Sequence, residues 1–203
     1  MAGRLTIAAV TAVLKDILDT GFKSYSTETG ISNADITLYS PDRITPSNDE
    51  HNQINLFLYR VAPHAQLANL GVNTESGSIK HATLTAKNQS SISLELHYLL
   101  TAYSSQDYHA EILLGTAIYL LQSKPILEAK YCRETLVRLK KQSANALSPG
   151  GMALMSSKTA PIVQEIKIRP QFLNMEDMSK LWSSLQARYR PSITYMVSTV
   201  TID

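Results

Sequence analysis

The chain carries a single cysteine, Cys132, in 203 residues. An internal disulfide and a multi-cysteine zinc site are therefore excluded, and the usage fits a reducing compartment. The thiol is expected to behave as a small, partly buried hydrophobe. An excess of one charge sign is also missing, since 19 basic and 17 acidic residues leave a formal charge of +2. Proteins that grip phosphate backbones are usually far more basic, so nucleic acid is not expected as a partner. No run of about eighteen apolar residues occurs, which argues against a transmembrane helix and leaves only a surface contact with membrane open. Arg4 and the stretch Leu5 to Leu14 look like a short signal peptide, but Lys15 and Asp16 interrupt it and no small-residue cleavage site follows. Without export, the sequon Asn88-Gln89-Ser90 would never meet a glycosylating enzyme.

Chemical motifs are missing too. There is no G-x-S-x-G nucleophile turn, and Ser148-Pro149-Gly150-Gly151 matches neither the phosphate loop nor the dinucleotide fingerprint, so it reads as a turn. His51, His64, His81, His97 and His109 are scattered without metal-binding spacing. Glu95 and His97 share one strand face and are the sharpest candidates for acid/base or metal chemistry. A two-residue polar patch on a half-exposed strand is ordinary, however, and that is the expectation here. No enzyme activity and no cofactor are expected.

What is present is a stretch around which the rest can be placed. From Ile92 to Tyr103, the residues Ile92, Leu94, Leu96, Tyr98 and Leu100 fall on one parity and Ser93, Glu95, His97 and Thr101 on the other, interrupted by Leu99. That period of two belongs to a half-buried strand. Ser104 to Asp107 break it, and from Tyr108 onward Ile112, Leu113, Thr116, Ala117, Leu120 and Leu121 recur at spacings of three and four. This predicts a helix capped by Asp107 and ended before Pro125. Each Leu fully buried between the two contributes about 1.5–3 kcal/mol, so the pair should centre the core.

Around it, Ile7, Val10, Leu14, Ile17 and Leu18 predict an N-terminal helix closed by Gly21 as a left-handed cap. Ile36 to Tyr39 reads as a short strand, Pro41 to Gln53 as an exposed loop, and Ile54 to Val61 as an interior strand apolar on both parities. Pro63 to Ser90 holds only a weak alternation from Ile79 to Leu84 and is a candidate partner-binding arm. Leu127 to Gln142 predicts a helix with a basic face, and Ser143 to Ala160 a flexible connection with Met152, Leu154 and Met155. Ile162 to Arg169 alternates as a strand ending at Pro170. Asn174 caps a helix whose stripe is Met178, Leu181, Trp182 and Leu185, and Ser192 to Ile202 has a β composition. Strands interspersed with helices imply an α/β (α+β) fold, a mixed β-sheet flanked by helices in a single domain over 1–203. Leu94, Leu96, Leu113, Leu181, Trp182 and Tyr195 are its expected core.

Four segments, in order, resemble one family: the cap, or tail-terminator, proteins of extracellular contractile injection systems, phage-tail-like particles of the antifeeding-prophage and virulence-cassette type. They are Leu56-Phe57-Leu58-Tyr59-Arg60-Val61 with Leu67 and Asn69; Leu94 to Tyr103 with Leu113-Leu114-Gly115; Lys180-Leu181-Trp182; and Tyr189-Arg190-Pro191-Ser192-Ile193-Thr194-Tyr195. His64 stands where the family pattern has Asn, and larger members continue into another domain after the last strand. The resemblance implies a fold like that of phage tail terminators. It also implies a structural cap that closes tube and sheath at the end distal to the baseplate as a hexameric ring, with inner tube protein and sheath protein as partners. An adaptor linking the particle end to a membrane or another component is the alternative. Localisation would be the bacterial cytoplasm during assembly and then the particle. The residues expected to meet partners are Arg60, Asn69, Lys130, Arg133, Arg138, Lys140, Lys141, Met152, Met155 and Arg190.

Overall fold

The alternating segment forms strand β3, Ile92–Tyr103, in a mixed sheet. The computed structural model describes residues 5–31, 34–44, 51–64, 92–142 and 165–202. In chain order the other elements are helix α1 (Thr6–Thr29), β1 (Asp35–Thr37), β2 (Gln53–Pro63), α2 (His109–Gln122), β4 (Ile126–Leu127), α3 (Ala129–Gln142), β5 (Ile166–Gln171), α4 (Met175–Ser184) and β6 (Ser192–Ile202). Among the described residues the sheet runs β1-β2-β3-β6-β5-β4. β1 lies parallel to β2, and every other pairing is antiparallel.

β3 is central because both of its faces are covered. Leu96, Tyr98, Leu100 and Ala102 belong to the larger core, with Val10, Leu14 and Leu18 of α1, Leu113, Ala117 and Leu121 of α2, and Cys132 and Leu136 of α3. The opposite face of the sheet is covered by α4, where Leu99 packs with Met178 and Trp182. Of the expected core, Leu96, Leu113, Trp182 and Tyr195 are buried, while Leu94 and Leu181 are half-buried at its margin. The buried Tyr98 hydroxyl is bonded to Thr11 Oγ1 at 2.8 Å, tying strand to helix through the core and meeting the need of a polar atom away from water.

Several local expectations are corrected. α1 runs straight through Gly21 to Gly30, which takes the left-handed cap at φ 67°. Gly21 serves a different need: a Cβ there would lie 2.3 Å from Leu120 Cδ2, so its missing side chain lets α1 and α2 approach. Asp107 does not cap α2. Tyr108 holds that position with a left-handed backbone and no side-chain cap. Ile112 faces solvent, and Leu114 and Ile118 pack against the core instead. In the expected exposed loop, Pro41 is buried and begins a short 3-10 turn, and Gln53 already belongs to β2. Pro170 lies inside β5, opposite Tyr195. Asn174 does cap α4, its Oδ1 accepting the Asp177 N–H at 2.7 Å. The weak strand from Ile79 to Leu84, the arm from Pro63 to Ser90 beyond His64, the connection from Ser143 to Ala160 and residues 162–164 lie outside the described residues.

Candidate interaction surface

The basic residues expected on one helix do share a solvent face. Lys130, Arg133, Lys140 and Lys141 of α3 are all exposed, because Cys132, Thr135 and Leu136 turn the opposite side into the core. Glu134 is the helix's one carboxylate. Val137 and Ile126 lie exposed nearby in sequence, and Lys124 sits over the Tyr131 ring at 4.7 Å. Arg138 is differently engaged: its Nη2 donates to Asp16 Oδ2 at 2.5 Å, and the Asp16 side chain is only 6% exposed. That cation fastens α3 to α1 and neutralises a buried carboxylate.

Arg60 lies elsewhere, exposed on β2 beside a bulge at Tyr59. Arg190 is half-buried over the Tyr103 ring at 5.0 Å, lining a cavity of about 220 Å³ with Asp42 and Arg188. Asn69, Met152 and Met155 lie outside the described residues. The structure therefore brings Lys130, Arg133, Lys140 and Lys141 together and leaves Arg60 and Arg190 on other elements. A further apolar surface escaped sequence reasoning. Phe172 is 90% exposed and Met175 76%, and Met175 borders a groove of about 350 Å³ with Trp182 and Tyr189. Its signal was Phe172-Leu173 between a strand end and a helix cap, where only one of the two apolar residues can turn inward.

The Glu95 and His97 pair makes separate contacts. Glu95 Oε1 is 3.8 Å from His64 Nε2, whereas His97 Nδ1 is 2.7 Å from Gln171 Oε1. Among the described residues no group of three His, Cys, Asp or Glu side chains is placed to hold a metal ion. Burial pushes the Cys132 thiol up to about 11, so it is neutral at physiological pH rather than nucleophilic. No helix among the described residues is long and apolar enough to cross a membrane.

Residues 9–203 match the Pvc16 N-terminal domain. The chain belongs to that family. No curated protein matches this family member. Solved structures similar to it include a PVC sheath/tube terminator in the extended state, from an extracellular contractile injection system. It has 16% identity and a TM-score of 0.47, covering 94% of this chain and 56% of that one. The tube-terminating cap of the anti-feeding prophage is another, with 15% identity and a TM-score of 0.47, covering 89% and 54%. The chain spans about half the length of these solved chains. Within this Pvc16 N-terminal domain, the described parts of the four segments converge on the middle of the sheet. Leu56–Val61 lies on β2, Leu94–Tyr103 on β3 and Ser192–Tyr195 on β6, next to β3. Lys180-Leu181-Trp182 lies on α4, covering Leu99.

Proposed function

We propose that this chain is a non-enzymatic structural subunit closing the tube and sheath of a contractile injection particle at the end distal to the baseplate. The observation that carries the reading is the family match over residues 9–203, to which the four ordered segments add support. A head-to-tail helical polymer leaves an unsatisfied interface at its growing end, and only a subunit with one complementary and one blind face closes it. In this proposal residues 1–203 form one domain, six copies make a ring, and the inner tube and sheath proteins are its partners. Six equivalent sites on a hexameric tube would then be met together, so that weak single contacts sum to a strong one. The chain acts in the cytoplasm during assembly and remains with the particle. Of the expected interface, Lys130, Arg133, Lys140 and Lys141 offer one docking face, Arg60 a second and Arg190 a third. The basic face of α3 also suits the adaptor reading, in which it meets another particle component or an anionic surface.

The test is removal of the gene followed by electron microscopy of purified particles, with a labelled copy restored in trans. Loss should give tubes or sheaths of uncontrolled length, or particles too unstable to isolate, and the label should mark the end remote from the baseplate. Particles of normal length, stability and end structure without this chain would overturn the proposal.

A further inference from the structure

Two of the cavities share a wall. The cleft of about 220 Å³ is lined by Asp42, Tyr103, Arg188 and Arg190, the groove of about 350 Å³ by Met175, Trp182 and Tyr189, and Ala187 lines both. The chain from Ala187 to Arg190 is therefore a ridge between them, with Arg188 and Arg190 on one side and Tyr189 on the other. An extended backbone gives this alternation, and Pro191 favours it by keeping Arg190 out of the helical region. Both ends of the ridge are anchored. Gln186 leaves α4 at φ 52° and the Ala187 N–H bonds to Trp182 O, while Ser192 pairs with Thr101 of β3.

The two sides differ in chemistry. In the cleft, Arg188 is exposed, and the Arg190 guanidinium is steadied over the Tyr103 ring at 5.0 Å. Asp42, the carboxylate of the cleft among the described residues, accepts a hydrogen bond from Ser40 Oγ. Two guanidinium groups beside one carboxylate leave the cleft positive and suited to one further negative charge. In the groove, Tyr189 meets Trp182 edge-on with centroids 5.8 Å apart, and Met175 and Tyr189 are 76% and 57% exposed. A flexible thioether beside an aromatic ring accepts apolar side chains of varied shape.

We propose that the ridge is straddled by an extended segment of a different protein carrying a carboxylate and a large apolar side chain two residues apart, the carboxylate on Arg188 and Arg190 and the apolar group in the groove. The ridge is one chain wide, about 5 Å, and two extended residues span about 7 Å, so that spacing reaches from cleft to groove. A nucleotide fits less well. Trp182 is only 3% exposed and Tyr189 meets it at 65°, so no pair of parallel ring faces is open to a base, and Asp42 disfavours a doubly charged phosphate more than a single carboxylate. The inference rests on the cap reading only for the identity of the partner: there the segment belongs to a tube or sheath protein and docks on the face that Arg190 offers.

Two arms keep the two ideas apart. In the first, the free chain is titrated with the capped pentapeptide Gly-Glu-Ser-Phe-Gly while the fluorescence of Trp182, the single tryptophan, is followed. Replacing the peptide's Glu by Gln, or its Phe by Ser, should each weaken binding about tenfold. Arg188→Gln should weaken the Glu peptide about as much and spare the Gln one, and Met175→Ser should weaken the Phe peptide and spare the Ser one, both with unfolding midpoints like that of the parent. No binding of the first peptide, or equal affinity for all three, overturns the inference. Tighter binding of adenosine monophosphate overturns it in favour of nucleotides, and self-association of the free chain that Arg188→Gln abolishes overturns it in favour of a second copy. In the second arm, hydroxyl-radical labelling of Met175 and Tyr189 is compared for the free chain and for the chain within purified particles, where both should be shielded. Unchanged labelling in particles overturns the inference and spares the cap. A chain absent from particles that still binds the Glu peptide as expected overturns the cap and spares the site.

Discussion

Gly21→Ala offers the sharpest test of how the helix layer is packed. In an open helix interior this change is favourable by about 1 kcal/mol, since alanine restricts the unfolded chain and glycine does not. Here the new Cβ would lie 2.3 and 2.5 Å from the two methyl carbons of Leu120 and 2.9 Å from its Cγ. Turning the methyl groups aside does not remove the Cγ contact, and Leu120 is only 6% exposed, so the helices must separate or Leu120 must leave its rotamer. Overpacking of this kind costs about 1–3 kcal/mol, leaving a net loss of about 1 kcal/mol after the propensity gain. For a chain of this size that is a fall of about 2–4 °C in Tm. The assay is urea unfolding followed by the fluorescence of Trp182, the single tryptophan, on the parent, Gly21→Ala, Leu120→Ala and the double variant. Leu120→Ala alone should cost about 2–5 kcal/mol. In that background the added methyl enters vacated space, so Gly21→Ala should turn neutral or stabilising, with a coupling of about 1–3 kcal/mol. A higher midpoint for Gly21→Ala in the parent, or equal shifts in both backgrounds, would refute the reasoning.

Three further outcomes are expected. Gln186 follows α4 at φ 52°, with its N–H on Ser183 O and the Ala187 N–H on Trp182 O, a left-handed helix ending suited to glycine. Gln186→Gly should therefore raise stability by up to about 1 kcal/mol in thermal melts. Arg138→Ala strands the buried Asp16 carboxylate. Because the Arg138 side chain is 44% exposed, the loss should be about 1–2 kcal/mol rather than that of a fully buried pair, and adding Asp16→Asn should recover part of it. Burial raises the Cys132 thiol to about 11 and the Tyr98 and Tyr195 hydroxyls above their ordinary range. Groups raised on folding give stability that is complete below their unfolded pKa and lost as pH rises through the folded one. Unfolding midpoints should therefore fall from about pH 9 upward, and Cys132→Ala should make the first part of that fall shallower.

β3, α4 and β6 were legible because each writes its environment in its own period: alternation in Leu94 to Leu100, three-and-four spacing in Met178, Trp182 and Leu185, and β-branched residues from Ser192 to Ile202. Gly21 was misread because a helix cap and a close helix approach both select glycine, and the choice between them rests on Leu120, far away in sequence. Asp107 has the right chemistry for a cap, yet the backbone turns one residue later, at Tyr108. At the interaction surface, helical spacing alone gathers Lys130, Arg133, Lys140 and Lys141. It cannot show that Arg138 is engaged, because Asp16 lies on another helix. That the short strand predicted at Ile36 to Tyr39 pairs with Gln53, Ile54 and Asn55 of β2 was equally hidden, since its own residues do not say which neighbour it meets.

The place of β6 has a consequence for biosynthesis. Residues 192–202 lie between β3 and β5, so the strand that joins the two halves of the sheet is the last of the six to leave the ribosome. Until it does, β3 has one side unpaired, β4 and β5 have no link to the rest of the sheet, and Leu96 and Tyr98 lose the cover of Tyr195 and Val197. Synthesis proceeds at about 5–20 residues per second, so the nascent chain spends seconds with an apolar sheet half-built. A stall or premature stop before residue 192 would release a product with two exposed apolar edges, and such products should be found with chaperones or in aggregates rather than as a smaller folded domain.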